Sequence, residues 1–116
     1  MSNILNQIFT DKKKEVSHTK SLSPLSEIKQ RIRDQQKALD VYKSLEKNKT
    51  SRIIAEIKPK TPFKGELRKG VDVVDIAKTY IRHGAATLSV LTETNYFGSS
   101  IKNLEEIRKI SSIPLL

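Results

Sequence analysis

Residues Arg52–Leu67, RIIAEIKPKTPFKGEL, set a carboxylate and an ammonium into an otherwise apolar run and then stop it with a proline. Glu56 and Lys58 are two positions apart, so on a strand, where side chains alternate, they leave the same face. Ile53, Ile54, Ala55 and Ile57 supply the apolar run of a strand covered on both sides. Charges are costly in such a place, which marks the end of this strand as a candidate site of chemistry. Pro59 has no N–H for a ladder and pushes Lys58 toward extended backbone, so the strand should end with the Lys58 side chain at its mouth. Thr61-Pro62-Phe63-Lys64-Gly65 then carries the turn residues of a shaped loop. A plainer alternative fits the same residues: Glu56 and Lys58 face solvent on an edge strand, and Pro59 merely ends the pairing.

Downstream, Asp72 suits a helix N-cap, and Asp75 is placed to return the bond in a capping box. Ile76, Ala77, Tyr80 and Ile81 form the apolar face of that helix, and Gly84 stands where its C-cap belongs. Thr87-Leu88-Ser89-Val90-Leu91 reads as a second strand ending at Thr92-Glu93. Ser99 or Ser100 caps a further helix with the face Ile101, Leu104, Ile107 and Ile110, and Ile113-Pro114-Leu115-Leu116 opens a third strand. Strand, helix, strand, helix, strand at this spacing predicts a parallel α/β sheet with right-handed crossovers. Chemistry in such sheets gathers at the carboxyl ends of the strands, where Glu56, Lys58, Thr92 and Glu93 fall. Pro59-Lys60-Thr61-Pro62 stands in the place of a glycine-rich fingerprint, which argues against a dinucleotide site, and a phosphate loop is absent too.

Upstream, Ile4, Leu5, Ile8, Phe9 and Val16 recur at helical spacing, an amphipathic helix that needs something to cover. Ser21 to Leu25 is a break containing Pro24, and Leu25-Ser26-Glu27-Ile28 opens a second helix through Ile32. Gln35 to Leu45 is helix-compatible again, with Ala38, Leu39, Tyr42 and Leu45 on one face, and polar Asn48 to Ser51 closes the leader. The reading is thus a helical extension over residues 1–50 followed by β/α units over residues 51–116.

With 116 residues, 36% hydrophobic and 30% charged, the chain suits a soluble segment of at most one domain. It has no cysteine, which excludes a disulfide framework and a thiolate metal site, and His18 and His83 are too few for a zinc site. No apolar run approaches a membrane span, and the opening MSNILNQIFTDKKK lacks the apolar core and cleavage site of a secretory signal, so a cytoplasmic protein is expected. The net charge of +9 is uneven: residues 1–69 hold 17 Lys/Arg against 8 Asp/Glu, and residues 70–116 hold 5 against 5. Such a face could bind nucleic acid, draw an anionic metabolite, or keep the chain soluble. Aromatics make up 5% of the chain and no basic stretch is interleaved with them, which argues against nucleic acid. Lys12-Lys13-Lys14 lies between Asp11 and Glu15 and reads as a solvated helix face.

Several stretches together resemble one family. Ile54-Ala55-Glu56-Ile57-Lys58, the Thr61-Pro62 turn, Gly84-Ala85-Ala86, Leu88-Ser89-Val90-Leu91-Thr92-Glu93, Tyr96-Phe97-Gly98-Ser99 and Ile113-Pro114-Leu115 look like the opening of indole-3-glycerol-phosphate synthase. The leader, with Glu15-Val16 after its lysine cluster, is similar to that family's helical extension. The resemblance implies α/β architecture, the N-terminal part of a (β/α)8 TIM barrel behind a helical extension, with about three of the eight strands present. It implies ring closure of 1-(2-carboxyphenylamino)-1-deoxyribulose 5-phosphate to indole-3-glycerol phosphate, with loss of carbon dioxide and water, in tryptophan biosynthesis. This chemistry needs acids, a carboxylate clamp and a base, but no cofactor or metal.

By the same resemblance Lys58 is the strand-one lysine that holds the substrate carboxylate or donates a proton, and Glu56 is the partner that sets its charge and position or accepts a proton. Thr61 and Pro62 match the loop that lines the substrate site, where the family pattern is Ser-Pro-Ser and this chain has Thr-Pro-Phe. Phe63 has no counterpart to the second serine's hydroxyl. Phe97 matches the aromatic residue that packs on the anthranilate ring; a plug at the barrel rim is its other reading. The expected partner is the phosphorylated anthranilate substrate, with no nucleic acid and no membrane; fusion to, or association with, other tryptophan-pathway enzymes stays open. The family continues from its third strand into a Lys-Asp-Phe motif bearing its principal acid, and this sequence reaches Leu116 before any such motif. The expectation is therefore an N-terminal fragment, inactive by itself. The competing class is a small basic α/β module that binds nucleic acid or protein, which accounts for the charge asymmetry but not for Glu56 and Lys58.

Overall fold

The computed structural model describes residues 3–47 and 52–116. They divide into a unit ending at Lys37 and a second unit, Ala38–Leu116. The polar link Asn48 to Ser51, and with it the expected boundary between residues 50 and 51, lies outside the described residues.

In the first unit, helix α1 spans Ile4–Leu22 and helix α2 spans Leu25–Arg33. Asn3 opens α1 by accepting from the Leu5 N–H at 3.0 Å, which satisfies one of the unpaired donors of its first turn. The break falls at Ser23-Pro24, as read from the proline. Neither helix buries a residue, and Leu5, Phe9 and Val16 on α1 and Leu25, Ile28 and Ile32 on α2 stay exposed. Lys13 lies 4.6 Å from the centre of the Phe9 ring, and Lys12 pairs with Glu15 at 2.5 Å.

The second unit begins with helix α3, Val41–Lys47, which is shorter than the Gln35–Leu45 pattern predicts. Asp40 explains the late start. Its carboxylate accepts from the Lys43 N–H at 3.0 Å and its carbonyl from the Ser44 N–H at 3.1 Å, so the helix opens after Asp40 and leaves Ala38 and Leu39 outside it. Ser44 donates its hydroxyl to the Ala86 carbonyl and so ties α3 to the strand that follows that residue.

Strand β1, Ile54–Ile57, leads into a small hairpin of β2, Lys60–Thr61, and β3, Gly65–Glu66. Helix α4, Val73–Arg82, strand β4, Thr87–Val90, and helix α5, Ile101–Ile110, complete the order. β1 and β4 are parallel, in the register Ala55 to Leu88, Glu56 to Ser89 and Ile57 to Val90. The expected third strand is present as a single parallel bridge between Leu88 and Leu115, with Leu116 donating to the Leu88 carbonyl at 2.8 Å. The chain is thus a mixed α/β structure with parallel strands.

Ile57, Ala77, Leu88, Val90 and Ile107 form the core, with Ala55, Ile76, Ile81 and Leu104 packed around them. Alternation explains the membership: Ala55, Ile57, Leu88 and Val90 leave the face of the sheet that α4 and α5 cover. The expectation that β1 is covered on both faces is corrected. Ile54, on the face of Glu56, is 47% exposed because the core helices pack on the other face, and Ile53, which precedes β1, is 57% exposed.

α4 is bounded as read at both ends. Asp72 accepts from the Val74 N–H at 2.7 Å, and Gly84, at φ +89°, turns the chain out of the helix. Asp75 does not complete a capping box; its carboxylate instead faces the Lys78 ammonium at 3.8 Å. Ser100 occupies the N-cap of α5 without a side-chain bond, while Ser99 donates to the Leu91 carbonyl and accepts from the Asn103 amide at 2.9 Å.

Candidate active site

β1 carries Glu56 and Lys58 to the carboxyl end of the sheet, and their side chains meet: Nζ of Lys58 lies 2.9 Å from Oε1 of Glu56. The in-register neighbour on β4, Ser89, donates its hydroxyl to Oε2 of Glu56 at 3.2 Å. Each carboxylate oxygen therefore has its own donor. The Lys58 hydrogen bond is the main cause that holds the Glu56 carboxyl below the usual glutamate range; partial burial opposes it, and the Ser89 hydrogen bond and the lysine's charge reinforce it. The pair is not buried, contrary to the reading of charges set within a covered strand. Glu56 and Lys58 side chains are 43% and 37% exposed, on the face that the core helices leave open. Solvent on that face reduces the desolvation cost that made the charges look expensive.

After Lys58 the hairpin is closed by the Leu67 N–H donating to the Pro59 carbonyl at 3.1 Å and by the Lys64 N–H donating to the Thr61 hydroxyl oxygen at 3.0 Å. Thr61 thus shapes the turn with its own side chain. Pro62 is half-buried, and Phe63 stands out at the tip, 80% exposed.

The loop after β4 is built around Glu93. Its carboxylate accepts from the backbone N–H groups of Asn95 at 3.1 Å, Tyr96 at 2.6 Å and Phe97 at 3.1 Å, and its carbonyl accepts from Ser99 at 2.9 Å. Phe97 is half-buried beside Gly98. Gly98 has φ +60°, and a Cβ there would lie 3.1 Å from Cβ of Lys60, so this loop rests directly on the hairpin after β1.

A cleft of about 610 Å³ opens beside Glu56 and Lys58, with Arg68, Asp72 and Tyr80 among its walls, and a second of about 330 Å³ adjoins it at Ala55, Glu56, Tyr80 and His83. Both touch consecutive residues of β1, so they open along the strand's edge. Thr61, Pro62 and Phe97 line neither. The expected site residues therefore form two groups: Glu56 with Lys58 in direct contact, and Thr61, Pro62 and Phe97 on two loops that touch through Lys60 and Gly98. Sequence reasoning placed Glu93 at a strand end but gave it no task, although a glutamate just before a turn is the local signal of a carboxylate that collects N–H groups. Ser89 was missed altogether. Among the described residues no cluster of His, Asp or Glu could hold a metal, and no helix is long and apolar enough to cross a membrane.

Residues 5–116 match the family model of indole-3-glycerol phosphate synthase. The chain is 39% identical over 115 residues to the indole-3-glycerol phosphate synthase of Microcystis aeruginosa (strain NIES-843 / IAM M-2473), covering 98% of this chain and 39% of that protein. The enzymes of the same description from Trichodesmium erythraeum (strain IMS101) and Rippkaea orientalis (strain PCC 8801 / RF-1) are 38% and 36% identical, over 98% and 97% of this chain and 39% of each relative. The chain belongs to the indole-3-glycerol phosphate synthase family. It spans about two-fifths of the length of the curated relatives it matches.

Proposed function

We propose that these residues are the opening of a (β/α)8 barrel synthase, with a helical extension over residues 1–50 and the first barrel units over residues 51–116. In the complete enzyme the reaction is closure of the indole ring of 1-(2-carboxyphenylamino)-1-deoxyribulose 5-phosphate in the cytoplasm, with loss of carbon dioxide and water. One observation carries the reading: a lysine and a glutamate paired at the carboxyl end of a parallel strand, open to the face where a substrate can reach them. Lys58 offers an ammonium that can hold the substrate carboxylate and donate a proton as the ketone is attacked. Glu56 aims that lysine through the contact between their side chains. Thr61 and Pro62 line the substrate site from the hairpin, and Phe97 packs on the anthranilate ring from the neighbouring loop. Phe63 supplies an apolar surface where relatives of the Ser-Pro-Ser pattern supply a hydroxyl.

The 116 residues contain no Lys-Asp-Phe motif, so on this reading they do not turn over substrate unaided. The test joins residues 1–116 to the part of the Microcystis aeruginosa synthase that follows the matched segment and assays indole-3-glycerol phosphate formation. Turnover by the joined chain, together with a loss of about 10²- to 10⁴-fold in kcat for Lys58→Ala at unchanged fold, upholds the assignment. A folded joined chain with no turnover, or a Lys58→Ala variant at near-normal rate, rejects it.

A further inference from the structure

We propose that Ser89 is a positioning residue for Glu56, fixing the carboxylate oxygen that Lys58 does not hold; this rests on the reading of Glu56 and Lys58 as site residues. The strand register puts Ser89 directly beside Glu56, and its hydroxyl donates to Oε2 at 3.2 Å while Lys58 lies 2.9 Å from Oε1. A carboxylate held by one donor is free to turn about its last torsion and exchange oxygens. With a donor on each oxygen, turning the group breaks both bonds, so the edge facing Lys58 is fixed.

Packing does not call for serine at this position. Its strand neighbours Leu88 and Val90 are in the core, but Ser89 lies on the opposite face, which those core helices do not cover. What serine supplies there is one O–H, directed at Glu56. The other charged or titratable groups around the two clefts are Arg68, Asp72, Asp75, Tyr80 and His83. Three are engaged elsewhere: Asp72 caps α4, Asp75 faces Lys78, and the His83 ring bonds the Thr79 carbonyl. Among the described residues the bonds to the Glu56 carboxylate come from Lys58 and Ser89.

The experiment is a carbon-detected NMR titration of the Glu56 carboxyl in the 116-residue chain, with the backbone amide spectrum as a control for folding. Ser89→Ala should move the Glu56 midpoint to higher pH, and Ser89→Thr, which keeps the hydroxyl, should leave it near the original. Ser89→Cys, close to serine in volume but a weak donor, should move it in the same direction as alanine and replaces alanine if that variant unfolds. An unmoved midpoint in Ser89→Ala or Ser89→Cys, or a threonine variant displaced as far as alanine, overturns the proposal and leaves the synthase assignment standing. A displaced midpoint in a chain whose joined form makes no indole-3-glycerol phosphate upholds Ser89 in its role while the synthase assignment falls.

Discussion

Glu56 has a lowered pKa because folding gives it Lys58 as a hydrogen-bonding partner, and that lowering ties its charge to stability. A carboxyl whose pKa falls on folding adds stability that is fully present above the ordinary glutamate value and is lost as pH drops through the depressed one. Both partners are more than a third exposed, so the gain is at most about 1 kcal/mol. Glu56→Gln should therefore be slightly less stable than the original chain at neutral pH, with the gap closing in acid. Urea melts at both pH values check this; a gap that stays constant into acid counts against it. Gly98 offers a larger effect. Alanine there must adopt a left-handed φ and press on Lys60, at a cost of about 1–2 kcal/mol. A Gly98→Ala chain with an unchanged urea midpoint would show that the loop can move off the hairpin freely. The pair Glu56 and Lys58 was legible in the sequence because period two is a local rule. Ser89 was not, because its place beside Glu56 depends on the register of strands that bring together residues 33 positions apart.

Among the elements, those whose ends are set by a single residue were readable and those set by competition were not. Asp72 and Gly84 bound α4 where their chemistry says they should, and Pro24 separates α1 from α2. The stretch before α3 has an apolar face at helical spacing and good helix formers in Gln35 to Leu39, yet Asp40 captures the N–H of Lys43 as a cap does and the helix starts only after it. The hairpin of β2 and β3 was read only as a shaped loop, because two-residue strands leave no periodicity to detect. The cap on α4 gives a direct test. Asp72→Ala should destabilise the chain by about 1 kcal/mol, read from the shift in urea midpoint at constant slope, whereas Asp72→Asn should retain most of that stability. Equal losses from the two substitutions would assign the effect to charge rather than to the cap.

For the whole molecule, the division of burial decides what can fold. Every core side chain, from Ile57 to Ile107, lies in the unit that begins at Ala38, and α1 and α2 bury none. Hydrophobic burial is the largest favourable term in folding, so a unit without buried side chains has little to offset the entropy of ordering it. The polypeptide of residues 38–116 should accordingly keep the cooperative unfolding transition of the 116-residue chain, with a similar urea midpoint followed by near-ultraviolet circular dichroism. Ile107→Ala within it should remove about 2–5 kcal/mol, enough to abolish the transition in a core this small. Loss of the transition on removing residues 1–37 alone would mean that the leader supplies folding energy through contacts its exposed faces do not reveal. A transition that survives both changes would mean that the Ile57, Leu88 and Ile107 cluster is not what holds the second unit together.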